Sequence, residues 1–174
     1  MARLELDRAR LEAFMKALAA QTKGPGTIFL TGGASALLIG WRGMTIDIDL
    51  KADPEPIGLF EAIVELKESL SVNVELASPE QFIPELPGWR ERSPWCARHG
   101  EINFFHYDFY SQALAKLERR HPRDLTDVAS MLDHKLIEKH RLSELFESIR
   151  PKIIRYPAID PVRFAHSVTT FLHG

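Results

Sequence analysis

Residues 45–51, TIDIDLK, alternate polar and apolar side chains without a break. A period of two marks a half-buried strand, because successive side chains leave opposite faces of the pleat. Ile46, Ile48 and Leu50 then turn towards a core. Asp47 and Asp49 share the other face, with Cα atoms roughly 6.6 Å apart. Two carboxylates held side by side repel each other unless a cation lies between them. Mg²⁺ is the usual candidate, a hard ion bound by one or two carboxylates and completed by phosphate oxygens and water.

The residues just before this strand supply a complementary element. TIFLT (27–31) is a short β-rich run closed by Gly32-Gly33, and SALLIGW then reads as a short buried helix. A glycine pair between a strand and a helix lets backbone amides and the helix N-terminus converge on an anion. Ser35 adds a hydroxyl at the same end, and Arg42 is placed to neutralise phosphate or to pair with one of the aspartates. A phosphate cradle followed by a metal-binding strand suits in-line displacement at a nucleoside triphosphate, where catalysis is mostly positioning and charge neutralisation. A glycine pair or an acidic strand alone occurs in many unrelated proteins. Joined by a short helix, in this order and spacing, they are far more specific.

The rest of the chain supplies the frame. Leu4, Leu11, Phe14, Met15 and Leu18 recur near helical spacing and predict an amphipathic opening helix, not a signal peptide. Residues 57–70 carry Leu59, Ile63, Leu66 and Leu70 on one helical face. Residues 71–77 and 101–109 read as strands, and 78–100 as a long Pro- and Gly-rich loop with a helical turn. Beyond that the pattern is helical. Ser111 is a cap for 112–120, Leu125, Val128, Ala129 and Leu132 mark the next helix, and Ser143 opens another. Asp160-Pro161 is an N-cap followed by proline at the first helical position. The fold class is α+β (mixed α/β), a mixed sheet flanked by helices with a C-terminal helical part. The expected division is a core over 1–110 and a helical part over 111–174, packed as a single compact unit.

Composition narrows the classes. With 45% hydrophobic and 26% charged residues the chain is an ordinary globular one, and a net charge of −2 gives no global bias towards nucleic acid or membrane. Nothing approaches the roughly 18 unbroken apolar residues that a membrane span needs. The single cysteine, Cys96, excludes an internal disulfide framework and a cysteine-based zinc site, so a reducing cytoplasm is the expected location. No general base near it in sequence makes Cys96 a nucleophile.

GGASALLIGWRGMTIDIDL resembles the first motif of nucleotidyltransferases of the DNA polymerase beta superfamily: a glycine pair, a short helix and an Asp-x-Asp strand. It is most similar to the minimal, AbiEii-like nucleotidyltransferases, among them an uncharacterised bacterial family. YDFYSQALAKLERRHPRDLTDVASML is similar to the helical lysine motif and the Arg-Asp-x-x-Asp motif of that group, so the resemblance covers roughly residues 28–133.

The resemblance implies a nucleotidyltransferase fold. It implies that Gly32, Gly33 and Ser35 hold a triphosphate and that Asp47 and Asp49 bind Mg²⁺ or Mn²⁺. A third carboxylate is expected on the following strand. Glu75 stands there, where aspartate is more usual, and Asp108 is a substitute. Lys116 matches the lysine that faces the nucleotide, and Asp124 and Asp127 match the last motif. The implied reaction moves a nucleoside monophosphate from a nucleoside triphosphate to a hydroxyl of RNA, protein or a small molecule. The implied setting is toxin–antitoxin or phage defence, with transfer RNA or protein as acceptor and an antitoxin as protein partner.

Several of these residues have a plainer reading. Glu75 on a strand face can simply be solvated, and Asp124 at a helix start is explained by capping and the helix dipole. The loop PGWRERSPWCARHG interleaves Trp89 and Trp95 with Arg90, Arg92 and Arg98, a pattern for gripping a base or single strand. The reading favoured here is that its tryptophans pack on the domain edge. His134 and His140 lack metal-ligand spacing. Two function classes remain open: a Mg²⁺-dependent nucleotidyltransferase, and a protein that keeps the fold without the chemistry and acts as a binding or regulatory partner.

Overall fold

A computed structural model describes residues 4–174. The chain divides into two compact units, one made of residues 1–78 and 94–106, the other of 79–93 and 107–174. Residues 79–93 belong with the helical unit and not with the sheet.

The first unit is a five-stranded mixed sheet with helices on its apolar face. In chain order it contains α1 (Arg8–Gln21), β1 (Gly26–Thr31), α2 (Gly33–Ile39), β2 (Asp47–Ala52), α3 (Leu59–Ser69), β3 (Asn73–Leu76), β4 (Trp95–His99) and β5 (Ile102–His106). The strand order is β3-β2-β1-β5-β4. The β1–β2 and β4–β5 pairs are antiparallel, and β1–β5 and β2–β3 are parallel.

Strand alternation separates the two faces of this sheet. Ile28, Leu30, Ile48, Leu50, Val74, Ile102 and Phe104 form one core with Leu11, Phe14, Met15 and Leu18 of α1 and Leu59, Ala62, Ile63 and Leu66 of α3. Each of the larger apolar side chains, fully buried, contributes about 1.5–3 kcal/mol. The other face of β2 and β3 carries Asp47, Asp49, Asn73 and Glu75. Ile46 departs from its expected place: it lies before β2 and is 44% exposed. Thr45 instead bridges to Leu6, whose amide donates to the Thr45 carbonyl at 2.7 Å. Leu4 also lies outside α1, which starts at Arg8 because the Asp7 carboxylate accepts from the Arg10 amide at 2.9 Å.

The expected loop over 78–100 contains more structure than its composition suggests. It holds a 3-10 turn (Pro79–Gln81), the short helix α4 (Trp89–Arg92) and the strand β4. β4 is an edge strand with no fully buried residue, so it lacks the apolar alternation by which strands are recognised.

The second unit is helical: α4, α5 (Phe109–Arg119), α6 (Pro122–Asp133), α7 (Lys139–Ile149) and α8 (Pro161–His173), with a 3-10 turn over Arg150–Arg155. α5 packs against α4, α6, α7 and α8. Phe146 of α7 meets Phe164 of α8 edge to face at 5.0 Å. Two starts differ from expectation. α5 begins at Phe109, because Asp108 and not Ser111 is its cap, accepting from the amides of Tyr110 and Ser111. α7 begins at Lys139 and not at Ser143. α8 starts as its sequence indicated, the Asp160 carboxylate accepting from the amides of Val162 and Arg163.

Candidate functional site

The acidic pair on β2 keeps the geometry its sequence dictates. Ile48 and Leu50 are fully buried, while Asp47 and Asp49 are half-buried on the opposite face. β3 runs beside β2 in a register that sets Asn73 against Asp47 and Glu75 against Asp49. Paired residues share a face, so Asp47, Asp49, Asn73 and Glu75 form one polar quartet on two adjacent strands. Within it the Asn73 side-chain amide donates to Asp47 Oδ1 and to Glu75 Oε1, the latter at 3.2 Å. Sequence reasoning missed Asn73. The only available signal was its place two residues before Glu75 in an alternating strand.

β1 brings the glycine pair to the same corner. Thr31, its last residue, pairs with Asp49, and Gly32 and Gly33 follow directly. Gly32 has φ 61° and ψ −132°, a conformation that residues with a Cβ avoid. A Cβ built on Gly32 would stand 3.1 Å from Asp49 Oδ2. A Cβ on Gly33 would collide with Thr45, 2.8 Å from its Cβ. The first glycine therefore makes the turn beside the carboxylate. The second lets the chain entering β2 cross tightly over the start of α2.

Ser35, expected in the cradle, lies beneath the glycine turn. It is fully buried, its hydroxyl donates to the Leu30 carbonyl at 3.1 Å, and His106 Nδ1 lies 3.0 Å from Ser35 Oγ. Ser35 is on the inward side of α2, where a hydroxyl finds partners within the protein. It ties α2 to β1 and β5 from beneath the glycine turn. Burial depresses the His106 pKa to about 4, so the imidazole is neutral at physiological pH. Arg42 lies half-buried between α2 and β2.

In the helical unit, Lys116, Asp124 and Asp127 form one ion cluster. Lys116 Nζ is 2.9 Å from Asp127 Oδ2 and 3.5 Å from Asp124 Oδ1. Arg119 grips Asp124 with both arms, Nε to Oδ2 at 2.8 Å and a terminal nitrogen to Oδ1 at 2.6 Å. Asp124 also accepts from the His121 amide at 3.1 Å, so the capping explanation of this residue holds. Burial alone would raise the Asp124 pKa. The Arg119 hydrogen bonds, the charges of Lys116 and Arg119 and the His121 amide outweigh it and hold the carboxyl below its ordinary 3.8. Both aspartates are 2% exposed, whereas Leu125, expected to mark the buried face, is 38% exposed.

Asp108, the substitute third carboxylate, is engaged elsewhere. Besides capping α5 it takes Arg92 in a two-armed ion pair at 3.1 and 2.8 Å and accepts the Ser111 hydroxyl at 2.7 Å. The Trp/Arg segment divides between the two readings, and Arg92 is held by Asp108 and not solvated. Trp89 is 6% exposed and stacks on Tyr107 at 4.4 Å, while Trp95 on β4 stays 60% exposed. Cys96 is half-buried. Burial pushes its thiol up, with Arg8 opposing and Glu12 adding, which fits an unreactive cysteine.

Among the described residues no three His, Cys, Asp or Glu side chains converge as a ready-made metal site. The quartet's donors are nonetheless hard carboxylate oxygens, the type Mg²⁺ takes. Such an ion commonly needs only one or two from the protein when phosphate oxygens and water complete its shell. Among the described residues no helix is long and apolar enough to cross a membrane.

Residues 9–159 match the model of a family described as nucleotidyltransferases of unknown function (DUF6036). No curated protein and no solved structure matches the chain.

Proposed function

From the premise that the chain belongs to this nucleotidyltransferase family, we propose that it transfers a nucleoside monophosphate from a nucleoside triphosphate to an acceptor hydroxyl. We assign it to the minimal branch of the DNA polymerase beta superfamily that its first motif resembles. The observation that carries the reading is the shared face of Asp47, Asp49 and Glu75, with Gly32 against the Asp49 carboxylate.

In this reading Asp47 and Asp49 hold a divalent cation, Mg²⁺ or Mn²⁺, with Glu75 as third ligand or base. When bound, the cation neutralises charge on the triphosphate and lowers the barrier to in-line displacement. The turn at Gly32-Gly33 lets the phosphate chain approach the backbone without a side chain in the way, and Arg42 is on hand for its charge. Ser35 holds that turn in place from below through Leu30 and His106. The acceptor oxygen attacks the α-phosphorus, its proton passes to a carboxylate, and the bond to the β-phosphate oxygen breaks to release pyrophosphate. The acceptor belongs to RNA, protein or a small molecule. A toxin–antitoxin or phage-defence setting, with an antitoxin as partner, rests on the resemblance of the motifs.

Lys116, Asp124 and Asp127 enter the proposal first as the tie between α5 and α6, since they pair with one another. A nucleotide that recruits Lys116 must draw it from Asp127.

The test is incubation with Mg²⁺ or Mn²⁺ and each labelled nucleoside triphosphate, with and without cellular RNA, beside Asp47→Asn and Asp49→Asn. Label transfer by the wild type and loss of at least 100-fold in both variants is expected. One observation favours a second reading, a nucleotidyltransferase-fold protein that binds without catalysing: among the described residues no three acidic, histidine or cysteine side chains converge as a ready-made metal site. Triphosphate binding with no label transfer under any of these conditions would select it.

A further inference from the structure

The Asn73 amide sits between two carboxylates that the sheet would otherwise leave facing each other. Parallel pairing brings Asn73 beside Asp47, and strand periodicity places Glu75 two residues further along the same face. Asn73 is 2% exposed, so its side chain is held in place, and it donates to Asp47 Oδ1 and Glu75 Oε1. The orientation of the amide follows from its surroundings. Ionised carboxylates only accept hydrogen bonds, so the nitrogen, with its two donors, must be the atom that faces them. Among the described residues Asn73 is the one hydrogen-bond partner of the Asp47 carboxylate.

We propose that Asn73 is a positioning residue for cation binding at Asp47 and Asp49. Its amide engages one oxygen of Asp47 and one of Glu75 and leaves the second oxygen of each for the cation. The proposal rests on the reading of Asp47 and Asp49 as cation ligands. Two physical consequences follow. Without cation, a neutral bridge of two N–H groups relieves the repulsion between neighbouring carboxylates, so the site stays formed when empty. With cation, the ligands are already oriented, so less ordering accompanies binding. Partners of this kind, one step removed from the ion, typically change metal affinity by about 10–100-fold when removed.

The experiment measures Mn²⁺ affinity, by the electron paramagnetic resonance signal of free Mn²⁺, for wild type, Asn73→Ala, Asn73→Ser, Asn73→Asp and Asp47→Asn. Each is also melted with and without Mn²⁺. Wild type should bind, and Asp47→Asn should not. Asn73→Ala should bind about 10-fold or more weakly at temperatures where it is fully folded. Asn73→Ser, which keeps one donor, should fall between them and covers the case in which the alanine variant does not fold. Asn73→Asp is nearly isosteric but turns a bridge into another negative charge. It should melt lower than wild type without Mn²⁺ and gain more from Mn²⁺ than wild type does. Mn²⁺ bound equally by wild type, Asn73→Ala and Asn73→Ser would overturn the role of Asn73 and leave the cation site standing. Failure of wild type to bind Mn²⁺ any better than Asp47→Asn would overturn the cation site, and the role of Asn73 with it.

Discussion

Gly32 and Asp49 meet at the end of β1, where a Cβ on the glycine would stand 3.1 Å from Oδ2 of the aspartate. A turn and a strand that are 17 residues apart in sequence, from 32 to 49, thereby become one corner. The contact explains why the turn residue must be glycine twice over, once for its backbone angles and once for its neighbour.

Gly32→Ala therefore carries a backbone cost of about 1–3 kcal/mol and pushes on the Asp49 carboxylate. The expected outcome is a lower melting temperature together with weaker triphosphate binding. Gly40→Ala makes the control. Its φ is also positive, at 114°, but a Cβ there would meet nothing within 4 Å. It should lower stability and leave ligand affinity unchanged, as measured by calorimetric titration with a non-hydrolysable triphosphate.

Asp47→Asn and Asp49→Asn separate chemistry from folding. Each keeps side-chain volume and removes a charge, so stability without ligand should be unchanged or slightly higher. Mg²⁺ with nucleotide should stabilise wild type by about 2.7 kcal/mol at a ligand concentration 100 times the dissociation constant, and the variants far less. Thermal melts of the three proteins, with and without ligand, check this. Equal shifts in all three would remove the aspartates from the site.

His106 makes the sheet unit sensitive to mild acid. Its folded-state pKa is about 4 against an ordinary 6.5, so between these values the unfolded chain binds a proton that the folded chain refuses. Stability is therefore complete above about pH 6.5, declines as pH falls towards 4, and levels off below. The slope is about 1.4 kcal/mol per pH unit, or about 3 kcal/mol across the window. Denaturant titrations of wild type and His106→Gln between pH 4 and 8 should show this component in the wild type alone.

Asp124 also loses stability as pH falls, but in a more acidic range. Its folded pKa lies below 3.8, so its contribution is fully present above that value and disappears as pH drops through the lowered one. Asp124→Asn should cost about 1–3 kcal/mol near neutrality, the range for lost hydrogen bonds to a charged group. The gap between wild type and variant should narrow as pH falls through the lowered Asp124 pKa, as followed by far-ultraviolet circular dichroism.

The amino-acid sequence by itself determined the features whose causes lie within a few residues. The alternation of IDIDL put Asp47 and Asp49 on one face of β2 and Ile48 and Leu50 on the other. Asp160 ahead of Pro161 set the start of α8, and Gly32-Gly33 marked the turn after β1. Only the tertiary structure decided which groups those features would meet. Asn73 reaches Asp47 because β3 lies beside β2 in one particular parallel register, and no pattern inside either strand specifies that register. Ser35 acquired His106, 71 residues away, as a partner because β5 brings it beneath α2. Asp108 became a cap and the partner of Arg92 once the segment 79–93 joined the helical unit. β4 escaped notice because an edge strand needs no apolar alternation to pair. Periodicity and capping act through local bonds, and register and burial are decided by the packing of distant segments.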